Sequence, residues 1–134
     1  MKQPKAEARR WLTQAESDLA FAEVGLREGF FAQTCFVCQQ TGEKALKALC
    51  YLRGDRLVLG HSLVELLATL AGPDAAGPEI REGAQQLDQY YVPTRYPNGL
   101  PGGVPAEVFT RRQAEEAVAI ARRIVAFARG AIGQ

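Results

Sequence analysis

Residues 38–67 read CQQTGEKALKALCYLRGDRLVLGHSLVELL, and they decide the fold. The first half continues a helical stripe made by Ala32, Cys35, Phe36, Leu46, Leu49 and Cys50, whose spacings of three and four predict a helix over 31–53. Gln39, Gly42 and Glu43 interrupt the middle of that stripe. A glycine inside a helix costs about 1 kcal/mol relative to alanine, so Gly42 predicts another backbone packed closely against it. Gln39 and Glu43 lie one turn apart and need hydrogen-bond partners if they are buried. Gln40, Lys44, Lys47 and Tyr51 follow one another along a neighbouring face. This face reads either as a solvated surface or as two ammonium groups flanked by polar groups that could hold an anion.

Outward from this segment the chain continues to read as helix. Ala8, Trp11, Leu12, Ala15, Leu19, Ala22 and Leu26 predict an amphipathic helix from about Ala6 to Arg27, closed by Gly29. Beyond the RGDRLVLG loop, Ser62 is an expected N-cap, with Glu65 completing a capping box for a third helix that runs to about Leu70. AGPDAAGP (71–78) separates it from a fourth helix that has Pro78 at its first position and Ile80, Ala84, Leu87 and Tyr91 on its apolar face. Thr110, with Gln113 three residues on, caps a long last helix. No useful alternation of apolar and polar residues predicts a strand. The expectation is an all-α, five-helix, mostly antiparallel up-and-down bundle, because the connections are short.

Between helices four and five lies YYVPTRYPNGLPGG (90–103), rich in rings, guanidinium and proline. Val92 and Tyr96 each precede a proline and are pushed out of the helical region, and Pro97-Asn98-Gly99 is turn chemistry. Arg95 offers a planar fork for phosphate or carboxylate, and Tyr90 and Tyr96 offer ring faces and hydroxyls. If helix four packs beside helix two, these groups converge with Lys44, Lys47 and His61 on a nucleotide-sized anionic cleft. The alternative is a loop pinned by its prolines, with Tyr90 and Arg95 bonded to buried backbone or to Glu43.

Composition narrows the function classes. The 134 residues fit one domain, 1–134, large enough to bury a core without staples. Sixteen Lys+Arg against fifteen Asp+Glu leave no global field that marks a nucleic-acid or membrane protein. The N-terminus lacks an apolar leader, no segment is long and apolar enough to span a bilayer, and a cytoplasmic protein is expected. Cys35, Cys38 and Cys50 cannot all pair within one chain, which fits free thiols in a reducing compartment. Cys35 and Cys38 form a CxxC without a second ligand pair, so small buried residues are expected there, with no metal and no cofactor.

The 38–67 segment, with DLAFAEVGLREGFFAQTCF before it and YYVPTRYPNG after it, resembles the HEPN domain. Its specific pieces are Gln39-Gln40, Glu43-Lys44 and Lys47, then His61-Ser62-Leu63, then Tyr90 with Arg95-Tyr96-Pro97. The resemblance implies a five-helix bundle, frequently a homodimer or higher homo-oligomer, and a prokaryotic role beside a small nucleotidyltransferase. Many relatives are toxins of toxin–antitoxin pairs or metal-independent ribonucleases built on an Arg, four to six intervening residues and a His. Arg56 and His61 have that spacing: the imidazole would take a 2′-hydroxyl proton and the guanidinium would hold phosphoryl charge.

Three readings follow. In one, the chain binds a nucleotide or RNA through Gln40, Glu43, Lys44, Lys47, His61, Tyr90, Arg95 and Tyr96, as half of a two-component system. In another it cleaves RNA with Arg56 and His61 as catalytic residues. In the last it is a dimeric interaction module, consistent with the mixed charge of the first helix and with Glu115 and Glu116 interrupting the arginines of the last.

Overall fold

The computed structural model describes residues 3–70 and 76–133. Six helices occur among them: α1 (Pro4–Glu28), α2 (Phe31–Arg53), α3 (Leu63–Thr69), α4 (Gly77–Asp88), α5 (Pro105–Val108) and α6 (Arg111–Ile132). There is no strand among the described residues, so the all-helical expectation stands. The five-helix expectation is corrected to six. The additional element, α5, is a single turn started by Pro105, too short to leave a periodic apolar pattern in the sequence. Residues 71–75 of the AGPDAAGP linker lie outside the described residues.

Gly29 ends α1 in the left-handed conformation, φ 87°, and lets the Phe30 N–H bond back to the Gly25 carbonyl at 2.9 Å. The chain then reverses into α2. Contacts between the two helices run in opposite order: the Trp11 ring stacks on Tyr51, Asp18 pairs with Lys44, and Gly25 sits against Thr34. Glu23 with Arg122 and Glu16 with Arg129 show the same reversed order between α1 and α6. Helices α2 and α6 therefore each run against α1.

Fifteen of the 23 residues of α2 are buried, which makes it the central helix, covered on most of its circumference. Helices α1, α4 and α6 pack on it, and its buried residues join Leu63, Leu87, Val118, Ala121, Ile124 and Val125 in one core. Gly42 is closely packed: a Cβ there would stand 2.5 Å from Leu63 Cδ2 and 3.2 Å from Leu87 Cδ1. The close neighbours are side chains of α3 and α4, where the sequence suggested a backbone. Thr110 caps α6 in a complete box with Gln113. Cys35, Cys38 and Cys50 are all free and buried. No helix among the described residues is long and apolar enough to cross a membrane.

The fourth helix is shorter than its apolar pattern suggests. It stops at Asp88, and residues 89–95 form turns in which the Arg95 N–H bonds to the Val92 carbonyl at 3.0 Å. The early stop rotates the tyrosine pair: Tyr90 goes into the core, 7% exposed, and Tyr91 is left half-buried at the surface.

Candidate functional site

Glu43 is the centre of the polar cluster, although only 5% of it is exposed. Its carboxylate accepts from Lys47 Nζ at 3.1 Å, Gln39 Nε2 at 3.3 Å and Gln40 Nε2 at 3.4 Å, and His61 Nδ1 lies 3.2 and 3.3 Å from its two oxygens. A buried carboxylate needs such a set, because leaving its lone pairs and charge uncompensated is costly. Three of the donors come from α2 itself, one turn or less away. His61 arrives from the loop before α3, held there by Gln39 Nε2 on its carbonyl at 2.8 Å.

An ionised carboxylate only accepts, so the His61 ring facing it donates through Nδ1, and a neutral ring in this contact would carry its lone pair on Nε2. More than half of the His61 side chain, 57%, is exposed. The ring also stacks on Tyr91, centroids 4.7 Å apart and planes within 18°. Tyr91 in turn meets the Arg95 guanidinium, 4.5 Å from its ring centre. Arg95 further contacts the rings of Phe36 at 4.5 Å and Tyr96 at 5.1 Å, and its Nε donates to the Tyr91 carbonyl at 2.7 Å. Stacking and one backbone bond hold the guanidinium of this exposed residue in place, and a planar guanidinium is suited to an oxyanion.

Beside Arg95 lies a hollow of about 580 Å³, lined by Phe21, Phe36, Val37, Pro97, Val104 and Pro105 among others, with Arg95 its one charged lining residue. Phe21 is 64% exposed and Tyr96 50%. This is an exposed aromatic face of the molecule.

Several expected site residues lie elsewhere. Tyr90 packs edge-on against Phe109 at 5.8 Å, its hydroxyl accepts from Gln86 Nε2, and burial raises its pKa above the usual tyrosine value. It is a core residue. Lys44 pairs with Asp18 of α1. Lys47 is buried between Glu43 and the Trp11 ring, 5.8 Å from its centroid. Lys44, Lys47 and Tyr51 of this face therefore pack against α1, and Gln40 bonds within α2, so the face is not a fully solvated surface. Arg56 does not join His61: it lines a separate hollow of about 760 Å³ with Gln3, Glu7, Tyr51 and Asp55. The spacing that suggested the pair runs through loop, and no hydrogen bond or ring contact joins the two side chains.

Tyr91, Phe36 and Asp88 complete the site and were not among the expected residues. Asp88 holds the start of α3, accepting from Ser62 Oγ at 2.7 Å and from the backbone N–H of Leu63 at 2.6 Å and Val64 at 3.2 Å. An acid at the last residue of α4 opposes that helix's own dipole, and this misplacement was the available signal.

The HEPN domain model matches residues 8–131. In overall shape the chain is similar to TT1696 from Thermus thermophilus, at 43% identity and TM-score 0.87 over 92% of this chain and 97% of that one. It is similar to ST0689, an archaeal HEPN homologue, at 36% identity and TM-score 0.79 over 99% and 100% of the two chains. In sequence it is 26% identical to "Putative toxin MJ1304" of Methanocaldococcus jannaschii over 126 residues, 88% of this chain and 83% of that one. The chain belongs to the HEPN domain family.

Proposed function

We propose that the chain binds a nucleotide or an RNA phosphate at the His61–Tyr91–Arg95 face, as the nucleotide- or RNA-associated half of a two-component, toxin–antitoxin-like system in the prokaryotic cytoplasm. The observation that carries this is the shared ring of Tyr91, which meets both the exposed His61 imidazole and the guanidinium of the exposed Arg95. Phosphate is held by such a fork, and unstacked bases lie on rings such as Tyr96. The toxin name of the M. jannaschii relative supports the system-level reading. The partners in this reading are a small nucleotidyltransferase and a second copy of the chain, the latter seated on the aromatic face around Phe21.

Metal-independent RNA cleavage is the second reading, favoured by one specific feature. Glu43 behind His61 is the arrangement that orients a general base. In this geometry Arg95 replaces Arg56 as the guanidinium beside the base. Fluorescence anisotropy with a labelled mixed-sequence single-stranded RNA and with 5′-nucleotides tests the binding; a metal-free gel assay tests cleavage. His61→Ala and Arg95→Ala weaken binding while Arg56→Ala leaves it intact. Equal binding by all four proteins, or none by the parent, removes the proposal.

A further inference from the structure

We infer that Asp88 is a positioning residue for His61: its carboxylate docks the segment that carries Tyr91 and Arg95 onto the segment that carries His61. The inference rests on the binding reading above and names what aligns its two halves. Helix α3 has seven residues, too few to hold its own start in place. Its first backbone donors have no partner within the helix, and Leu63 is fully buried, so those donors need an acceptor from elsewhere. Asp88 supplies it to Leu63 and Val64 and also takes the Ser62 hydroxyl. Ser62 keeps a second role as the N-cap, accepting from the Glu65 N–H at 3.2 Å.

Four consecutive residues are thereby clamped from two sides. Gln39 of α2 holds the His61 carbonyl, and Asp88 of α4 holds residues 62 to 64. Three residues after Asp88 comes Tyr91, whose ring lies on the imidazole. One carboxylate thus fixes the distance between the segment bearing the imidazole and the segment bearing the ring and the guanidinium. Without it His61 would lose its register against both Glu43 and Tyr91. Asp88 makes no bond to the imidazole itself, so its effect is one of placement.

The test compares the full chain with Asp88→Ala and Asp88→Asn, reading the ¹⁵N shifts of the His61 imidazole and the affinity for the labelled single-stranded RNA. In the parent the contact with Glu43 is expected to keep a proton on Nδ1. Asp88→Ala is expected to lose that tautomer preference and to bind RNA about tenfold more weakly, a shift of the size that misplacing a binding group produces. Asn keeps one carbonyl acceptor and falls between the two. Val118→Ala, a cavity in α6 of comparable cost to the fold, is expected to move neither readout, which separates placement from general destabilisation. Should Asp88→Ala fail to fold, Asp88→Asn decides. Either folded variant with the parent's nitrogen shifts overturns the inference. A parent that binds no RNA defeats the binding reading, and the nitrogen shifts still judge Asp88.

Discussion

The Glu43 carboxylate and the His61 imidazole, eighteen residues apart in the chain, meet at 3.2 Å, and the carboxylate is buried while the imidazole is exposed. The pair joins the core to the surface: what neutralises Glu43 inside the bundle also sets which nitrogen His61 shows to solvent.

Glu43→Ala therefore acts first on stability. It leaves the Lys47 ammonium, whose side chain is 8% exposed, without its partner. Removing one member of a buried pair typically costs about 3–5 kcal/mol, and urea denaturation is expected to show a loss of that order. Glu43→Gln keeps an oxygen for Gln39 and is expected to lose less. A midpoint within error of the parent for Glu43→Ala would mean that Lys47 reaches water, and the burial described above would be wrong.

Arg95 separates charge from shape. Arg95→Lys retains a cation but neither the planar fork nor the stacking on Phe36 and Tyr91. Nucleotide affinity is expected to fall about tenfold for lysine, nearly as far as for alanine, because one good charge-assisted contact is worth roughly one decade. Isothermal titration with a 5′-nucleotide reads it directly. Full retention of affinity by the lysine variant would make Arg95 a simple point charge.

How much of this the sequence carried depends on the range of the interaction. Helix boundaries and caps are local, so Gly29 and the Thr110–Gln113 box could be read from neighbouring residues. The need for partners at Gln39 and Glu43 was equally legible, because polar groups inside an apolar stripe announce burial. Their identity was not: His61 comes from beyond a loop, and the Lys47 face, which the sequence left open between a solvated surface and an anion site, is packed against Trp11 of α1. The tyrosine pair shows the sharpest limit. The apolar period favoured Tyr91 as the core residue, but α4 stops at Asp88 and the following turns exchange the two roles, so Tyr90 enters the core. Arg56 and His61 met a spacing rule, but a count of residues through a loop fixes no distance, and no hydrogen bond or ring contact joins them.

Gly42→Ala tests the crowding of α2 against α3 and α4. Alanine gains about 1 kcal/mol of helix propensity, while forcing a methyl into a filled core costs typically about 1–3 kcal/mol. The new Cβ would lie 2.5 Å from Leu63 Cδ2, with Leu87 and Ile124 closing the other sides. Leu63 is fully buried and cannot swing outward, so the packing cost is expected to win. Thermal unfolding should show a net loss of about 1 kcal/mol. A stabilised variant would mean that Leu63 moves aside freely, and the start of α3 would then be looser than its Asp88 clamp implies.

The three cysteines supply a pH prediction whose sign follows from burial. Burial pushes the Cys35 thiol up to about 12 and raises Cys38 and Cys50 as well. In the unfolded chain these thiols ionise near 9.0, so for Cys35, between that pH and about 12, the unfolded state has lost a proton that the native state keeps. The contribution to stability is fully present below the unfolded value and is lost as pH rises from there through the folded one, at roughly 1.4 kcal/mol per pH unit for Cys35. Denaturant midpoints measured from about pH 8 to 11 should decline, and replacing Cys35 with alanine should flatten the decline. At about pH 8 a thiol of pKa about 12 is ionised in only about one molecule in ten thousand, so the native protein should react with a thiol reagent only as fast as it opens. Rapid labelling of the native protein at that pH would place at least one of these sulfurs at the surface and contradict the packing of α2.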